Sequence, residues 1–447
     1  MTPRSRPESL GGWGSFPVQE GAVFRPENVR DNEDILRARE HSSYIARGCG
    51  RSYGDASLNG GAGVVKQLRL NRMLSFDETS GTLECEGGTT IADIIVTFLK
   101  RGFYPAVCPG TKHVTVGGAI AADVHGKNHL TAGSFASIVD SVRLLLPSGD
   151  RLECSRDENA DVFHATVGGM GLTGIIARAT IRLRRVESFM VDVRTRRSRT
   201  LDETFDLLEH AAANHEHAIA WVDATETGQN SGRGIVQGGD HAPADAARVF
   251  RKGASRFHIP VHLPSWIMHP FSVSAFNTLY SIFPRRERDR SFLERFMFPL
   301  DAVGDWNRVY GKRGFIQYQM VVPHASARRV IKEMFERVNK SGQTAALATI
   351  KHFGRRGDGL LSFPMDGLTL ALDLPVRPGL AELTSGLDSV VIDAGGRVYL
   401  AKDALLTSES FRKMYPRADS FLAVKRRLDP DGVIASSLSR RLGLTHA

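Results

Sequence analysis

The sequence predicts an α+β protein, and two observations carry that reading. Short β-rich runs joined by glycine-rich connections fill the first part of the chain, whereas longer helices alternate with strands in the middle. After residue 396 the sequence returns to a motif-dense style like that of the first part. At 447 residues there is room for two domains, or for one large one with an insertion, each with its own core.

In chain order, the opening "MTPRSRPESLGGWG" has two arginines with no apolar run behind them, so it reads as a loose lead-in and not as a secretion signal. From about residue 63 to 185, runs such as "GVVKQLRL", "GTLECEGG" and "GIIARATIRLRRV" predict strands, and Pro147-Ser148-Gly149-Asp150 predicts a hairpin turn. One helix interrupts them. Thr90 caps it, Asp93 favours its first turn, Ile94, Ile95, Phe98 and Leu99 form its buried stripe, and Gly102 stops it. From about 187 to 396, helices over "LDETFDLLEHAAAN" and "HASARRVIKEMFERVNKSG" alternate with strands over "GFIQYQMVV" and "LTLALDLPV", which predicts one sheet with helices on a face. No fixed-period repeat and no low-complexity tract occurs.

A formal net charge of +9 points to an anionic partner: nucleic acid, a membrane face or a phosphorylated substrate. The arginines gather on no nucleic-acid-binding motif, so that class is set aside. Cys49, Cys85, Cys108 and Cys154 form no CxxC pair and have no histidine at zinc-finger spacing; reduced thiols and no metal are expected. No run of roughly twenty apolar residues predicts a membrane span, so a cytoplasmic protein is expected.

"RGCGRSYGDASLNGG" (47–61) carries five glycines in fifteen residues, and "CPGTKHVTVGGAIAADVHGKNHLTAGS" (108–134) repeats the style. Such loops offer unobstructed N–H groups, a nest for phosphate oxygens, and a pyrophosphate is the natural guest; the other reading is tight turns in a β-rich domain. Neither loop is a Walker A. "VGGMGLTG" (167–174) comes nearest to GxGxxG but leads into a β-branched strand, which argues against a dinucleotide-binding βαβ unit.

Taken in order, "GCGRSYGD…N", "PGT…TVGGAIAADVHGKNH…GSF" and "ATVGGMGLTGII" resemble the FAD domain of vanillyl-alcohol-oxidase-type flavoproteins, the PCMH type. Within that superfamily the chain resembles the decaprenylphosphoryl-β-D-ribose 2-oxidase family. The likeness runs through "WNRVYG", "GFIQYQMVVP", "LSFPMDG", "DLPVRPGL" and "GGRVYLAKDALLT…MYPR" to "RRLDPDGVIASSLSRRLGL", nearly the whole chain. It implies a two-part FAD-binding domain, 1–189 completed by 397–447, with a substrate domain built on an antiparallel sheet with helices inserted at 190–396.

By the same resemblance the stretch 46–56, with Gly48, Gly50, Arg51, Ser52, Tyr53, Gly54 and Asp55, wraps the FAD pyrophosphate, helped by Gly110, Thr115, Val116, Gly117 and Gly118. Ala122, Asp123, Val124 and His125 run along the flavin, and Ile175 and Tyr399 close the site. Many relatives bond flavin to a histidine in the first loop; Tyr53-Gly54-Asp55 offers none, so non-covalent FAD is expected, with His125 beside it. Lys402, with His125 and Tyr399, is the implied catalytic group. A desolvated lysine serves either as base or as electrostatic anchor. Gln317 and Gln319 alternate on a strand and so share a face, as a sugar-binding pair would; Lys127 and Lys351 are implied pocket residues able to meet a phosphate. Some relatives carry a pocket cysteine shortly after "PGL", where Thr384 stands here.

The stretch 261–300 sets Trp266, Phe271, Phe276, Tyr280, Phe283, Phe292, Phe296 and Phe298 around Arg285, Arg286, Arg288 and Arg290. It reads either as a core helix with a solvated charged turn or as a lid that meets anionic lipid and admits a polyprenyl chain. The implied activity is oxidation of the 2-hydroxyl of a polyprenylphosphoryl ribose to the 2-keto sugar, with a separate short-chain reductase completing epimerisation to the arabinose lipid and a peripheral place at the inner membrane face. An oxidase of a soluble alditol or aldonolactone is the alternative.

Overall fold

The computed structural model describes residues 4–225, 232–244, 257–283 and 285–445. The first sheet orders the strands Arg6–Gly11, Val18–Phe24, Gly63–Lys66 and Tyr44–Arg47; the first pair is antiparallel and the others are parallel. Its outer strand corrects the expectation of a loose N-terminus, apart from residues 1–3, which lie outside the described residues. An edge strand draws its hydrogen bonds from one neighbour and needs little apolar sequence. Here Leu10 is buried, and Glu8 pairs with Arg25 and Lys66, both at 2.7 Å.

The second sheet is antiparallel throughout, with the order Met73–Asp77, Thr82–Glu86, Ile175–Arg185, Val139–Leu145, Arg151–Ser155, and Phe103–Pro105 added beside Ile175–Arg185. The predicted hairpin joins its last two strands in order, closed by Leu146 N–H to the Asp150 carbonyl at 2.8 Å with Gly149 at φ +85°. The predicted helix runs Ile91–Phe98. Thr90 and Asp93 form a reciprocal capping box, Ile94, Ile95 and Phe98 are buried, and Gly102 ends the following turn at φ +77°.

The third sheet is the predicted α+β layer: eight strands, antiparallel throughout, in the order Arg288–Phe292, Met190–Ser198, Gly234–His241, His217–Val222, Leu347–Phe353, Gly367–Pro375, Phe315–Val322 and Arg397–Val398. The helices Leu201–Asn214, His324–Lys340 and Leu380–Asp393 cover one face with apolar stripes such as Val330, Ile331, Met334, Phe335 and Val338. The other face is left for the site.

After Arg397–Val398 the chain crosses back to its beginning. Tyr44 N–H donates to the Val433 carbonyl at 2.7 Å, and Ala435 N–H to the Tyr44 carbonyl at 3.0 Å. Buried Lys425 satisfies its ammonium on the Leu172 carbonyl, the Ile434 carbonyl and Asp429.

The stretch 261–300 is not a core helix. Its helix Pro270–Ile282 buries Val273 and Asn277, while Phe271, Phe276, Leu279 and Ile282, with Phe283 beyond its end, stay 60–79% exposed. Polar ties hold it down: Asn277 donates to buried Asp223 at 3.0 Å, and Arg233 bridges Asp223 and Thr278. Phe296 and Phe298 of the same stretch are buried. Among the described residues no helix is long and apolar enough to cross a membrane.

Candidate active site

A cavity of about 560 Å³ lies between the two glycine loops and the uncovered face of the eight-stranded sheet. Strand register makes its floor. Gln319 stands opposite Ala371, Ala371 opposite Thr349, Thr349 opposite Trp221 and Trp221 opposite Ile235, and all five line the cavity. Gln317 and Gln319 do share this face, while Ile316, Tyr318 and Met320 point into the helix layer. The aromatic helix borders the mouth through Tyr280, whose ring meets Trp221 edge-on at 4.8 Å, and Arg285 follows it along the rim.

Lys402 sits on a tight turn that starts where the last strand ends. Tyr399 N–H donates to the Gln319 carbonyl at 2.8 Å, Lys402 N–H returns to the Tyr399 carbonyl at 2.9 Å, and Tyr53 N–H donates to the Ala401 carbonyl at 3.0 Å. The turn and the first glycine loop are thereby joined, and Lys402 Nζ lies 3.8 Å above the centre of the Tyr53 ring. Burial pushes the Lys402 amine down to about 7, against the pull of Asp373 and helped by Lys351. Burial also lowers Lys351 to about 8 and Lys127 to about 7. Three amines poised near neutrality line one cavity, which suits both an anion and proton exchange.

Around them the polar groups are matched. Gln317 donates to Asp373 at 2.6 Å, and Tyr310 OH donates to its other oxygen at 3.2 Å; burial raises the Asp373 carboxyl to about 6. The Gln319 amide lies 3.0 Å from His125 Nε2, and Lys351 Nζ lies 3.4 Å from Nδ1; burial, then Lys351, keeps the ring neutral. Tyr399 OH donates to the Ala122 carbonyl at 2.8 Å, and its ring stacks on Phe363 at 4.6 Å. Lys127 bonds the Phe296 carbonyl and lies over that ring.

Gly48, Gly50, Arg51, Ser52, Tyr53, Gly110, Thr115, Gly117, Gly118, Ala122, Val124, His125, Lys127, Gln317, Gln319, Lys351, Tyr399 and Lys402 all line the cavity. Five expected residues stand behind its wall. Asp55 pairs with Arg441, Gly54 packs on Asp403, and Val116 is fully buried. Asp123 buttresses its own loop by accepting from Ala136 N–H and Ser362, and the neighbours of Ile175, Gly174 and Ile176, reach the cavity in its place.

Thr384 is a correction. It lies on the helix Leu380–Asp393, bonds the Ala381 carbonyl and faces the back of the sheet, outside the cavity, so its identity bears on no pocket thiol. Asp373 and Tyr310 were not anticipated. The signal for Asp373 is one acid in the nine-residue strand "GLTLALDLP", every residue of which is buried. Away from the cavity, Glu216, His217 and His241 bring their polar atoms within 4.8 Å of one another, but Arg184 already forks onto both Glu216 oxygens.

The FAD binding domain family matches residues 21–155, and the D-arabinono-1,4-lactone oxidase family matches 377–442. The chain is 38% identical to decaprenylphosphoryl-β-D-ribose oxidase of Mycolicibacterium smegmatis, over 97% of each chain. The chain belongs to the decaprenylphosphoryl-β-D-ribose oxidase family. It is also 36% identical to an uncharacterized protein of Streptomyces coelicolor, over 77% of this chain and 97% of that one, and 25% identical to bovine L-gulonolactone oxidase over 93% of each.

Like other members of this oxidase family, the chain is an FAD-dependent oxidoreductase with a PCMH-type fold. Its own residues fit the cofactor. Gly48, Cys49, Gly50, Arg51 and Ser52 line the cavity, and their N–H groups donate to no acceptor among the described residues. A Cβ on Gly48 would stand 2.3 Å from Thr115 Oγ1, so the loop keeps its close approach only as glycine. The amides of Val116, Gly117 and Gly118 are taken by Thr89, Gly87 and Thr115, which leaves the first loop as the richer source of free donors.

Proposed function

We propose that this oxidase removes hydrogen from the 2-hydroxyl of a polyprenylphosphoryl-β-D-ribose and releases the 2-keto sugar. The observation that carries the reading is the likeness over 97% of the chain to an oxidase whose name specifies that substrate. The cavity supports it: two glutamine amides on the floor suit a sugar, Lys127 and Lys351 suit a phosphate, and an exposed aromatic helix beside the mouth suits a lipid tail.

In this reading residues 1–189 and 397–447 hold the cofactor, without a covalent bond, and 190–396 hold the substrate. Bound FAD would supply the acceptor for the hydride at C2. Lys402, held near 7, is neutral enough to take the hydroxyl proton, and the ammonium that results sits over Tyr53 within reach of Asp373's field. Gln317 and Gln319 orient the ring, and the buried walls exclude water. A short-chain reductase then completes epimerisation to the arabinose lipid.

The test is the visible absorbance of the purified holoprotein, made anaerobic and mixed with a short-chain polyprenylphosphoryl ribose. The flavin band is expected to bleach, and the same holoprotein precipitated with acid is expected to release its yellow colour into the supernatant. A band that bleaches with an aldonolactone and not with the ribose lipid overturns the substrate.

Asp373→Asn supplies a pH test. Asp373 raises the Lys402 pKa, so its neutral replacement lowers it, and the acid limb of the reduction rate is expected to move to lower pH by roughly one unit. A limb that stays in place removes the pair from the mechanism.

We also place the protein at the inner membrane face. Phe271, Phe276, Leu279, Ile282 and Phe283 project beside Arg285, Arg286 and Arg288, a pairing suited to anionic lipid. The protein is expected to sediment with phosphatidylglycerol vesicles at low salt and to lose much of that binding in a Phe271→Ser, Phe283→Ser variant. Protein left in the supernatant at low salt ends this part of the reading.

A further inference from the structure

Arg441 lies on the last helix, Ser437–Leu442, far in sequence from every residue of the cavity. Its guanidinium makes four bonds. Nη2 and Nε fork onto the two oxygens of Asp55 at 2.7 and 3.1 Å, and Nη1 reaches Asp403 at 2.9 Å and the Leu406 carbonyl at 2.6 Å. Both carboxylates are buried, with side chains 5% and 4% exposed.

Both carboxylates belong to segments that carry a residue facing the chemistry. Asp55 follows Gly54 and Tyr53 on the first glycine loop, and Asp403 follows Lys402 on the turn. Asp403 also accepts from Leu405 and Leu406 N–H through its other oxygen, which fixes the carboxylate plane. The loop and the turn touch directly, since a Cβ on Gly54 would fall 1.8 Å from the Asp403 carbonyl oxygen. Without a cation between them, two buried carboxylates would face one another across that contact.

We infer that Arg441 is a positioning residue of the reaction: by tying Asp55 to Asp403 it fixes Lys402 above the Tyr53 ring. A lysine cannot replace it, because one ammonium does not span a forked carboxylate, a second carboxylate and a carbonyl together. This inference rests on the role proposed above for Lys402.

The test compares wild type, Arg441→Lys and Arg441→Met as holoproteins at saturating added FAD, with Asp403→Asn as a second way of breaking the tie. Two quantities are read anaerobically: the rate constant of flavin reduction at saturating short-chain polyprenylphosphoryl ribose against its half-saturation concentration, and the pH midpoint of the flavin absorbance change without substrate. The charged groups acting on Lys402 in that second readout are Asp373 and Lys351.

The rate constant is expected to fall at least ten-fold in Arg441→Met and in Asp403→Asn, with half-saturation little changed. Arg441→Lys is expected to recover less than half of the loss, and the midpoint in Arg441→Met to move away from the wild-type value, because Lys402 no longer keeps its place relative to Asp373 and Lys351. Variants that hold FAD and reduce at the wild-type rate with the wild-type midpoint overturn the inference, as does full recovery by lysine. If the ribose lipid fails to bleach the wild-type protein, the substrate reading fails, while the midpoint still decides the role of Arg441.

Discussion

Lys402→Met protein is expected to purify yellow and to stay yellow when a polyprenylphosphoryl ribose is added without oxygen. The lysine belongs to the turn after the last strand, not to the loop whose free amides suit the pyrophosphate, so its loss leaves the cofactor cradle intact. Methionine keeps the length and the apolar stem over Tyr53 but has no group to take the hydroxyl proton. Loss of a positioned base costs about 10²–10⁴ in rate. The measurement is stopped-flow absorbance of the flavin band; reduction within ten-fold of wild type would assign the proton to another group.

Gly54→Ala acts on the cradle itself. Its Cβ would fall 1.8 Å from the Asp403 carbonyl oxygen, and neither partner is a flexible side-chain end, so loop and turn must separate. Overpacking of this kind costs about 1–3 kcal/mol in a core, and here the displaced segment is also the one that carries Tyr53. The variant is expected to purify largely colourless, to need added FAD for any activity, and to melt at lower temperature. Gly386→Ala is the matched comparison: a Cβ there meets one arginine tip at 3.7 Å, in the middle of a helix, and is expected to leave colour unchanged and melting the same or higher. A yellow, normally melting Gly54→Ala protein would show that the contact between loop and turn is dispensable.

What the sequence made legible was whatever a few neighbouring residues decide. The Thr90–Asp93 capping box, the turn at Gly149 and the alternation of Gln317 with Gln319 are local facts, and each appears where its spacing puts it. The long ordered motifs carried the fold and the cofactor because they are many residues deep. The N-terminal strand was missed because an edge strand is defined by its neighbour, Val18–Phe24, and not by its own apolar content. Thr384 was misplaced because position after a motif does not say which face of a helix turns to the cavity. Asp373 and Arg441 matter through partners 56 and 386 residues away, Gln317 and Asp55, and nothing local to either marks them. The aromatic stretch allowed two readings until burial separated Phe296 and Phe298 from Phe271 and Phe283.

The return of the chain to its own beginning bears on how the molecule is made. Tyr44, next to the first glycine loop, is paired with Val433 and Ala435, and Asp55 is paired with Arg441. During synthesis the loop emerges early and waits through nearly the whole of translation for the residues that complete it. A ribosome halted before the last helix has made the glycine loop and the turn of Lys402, which meet directly, but not Arg441, whose bonds to Asp55 and Asp403 brace that meeting from behind.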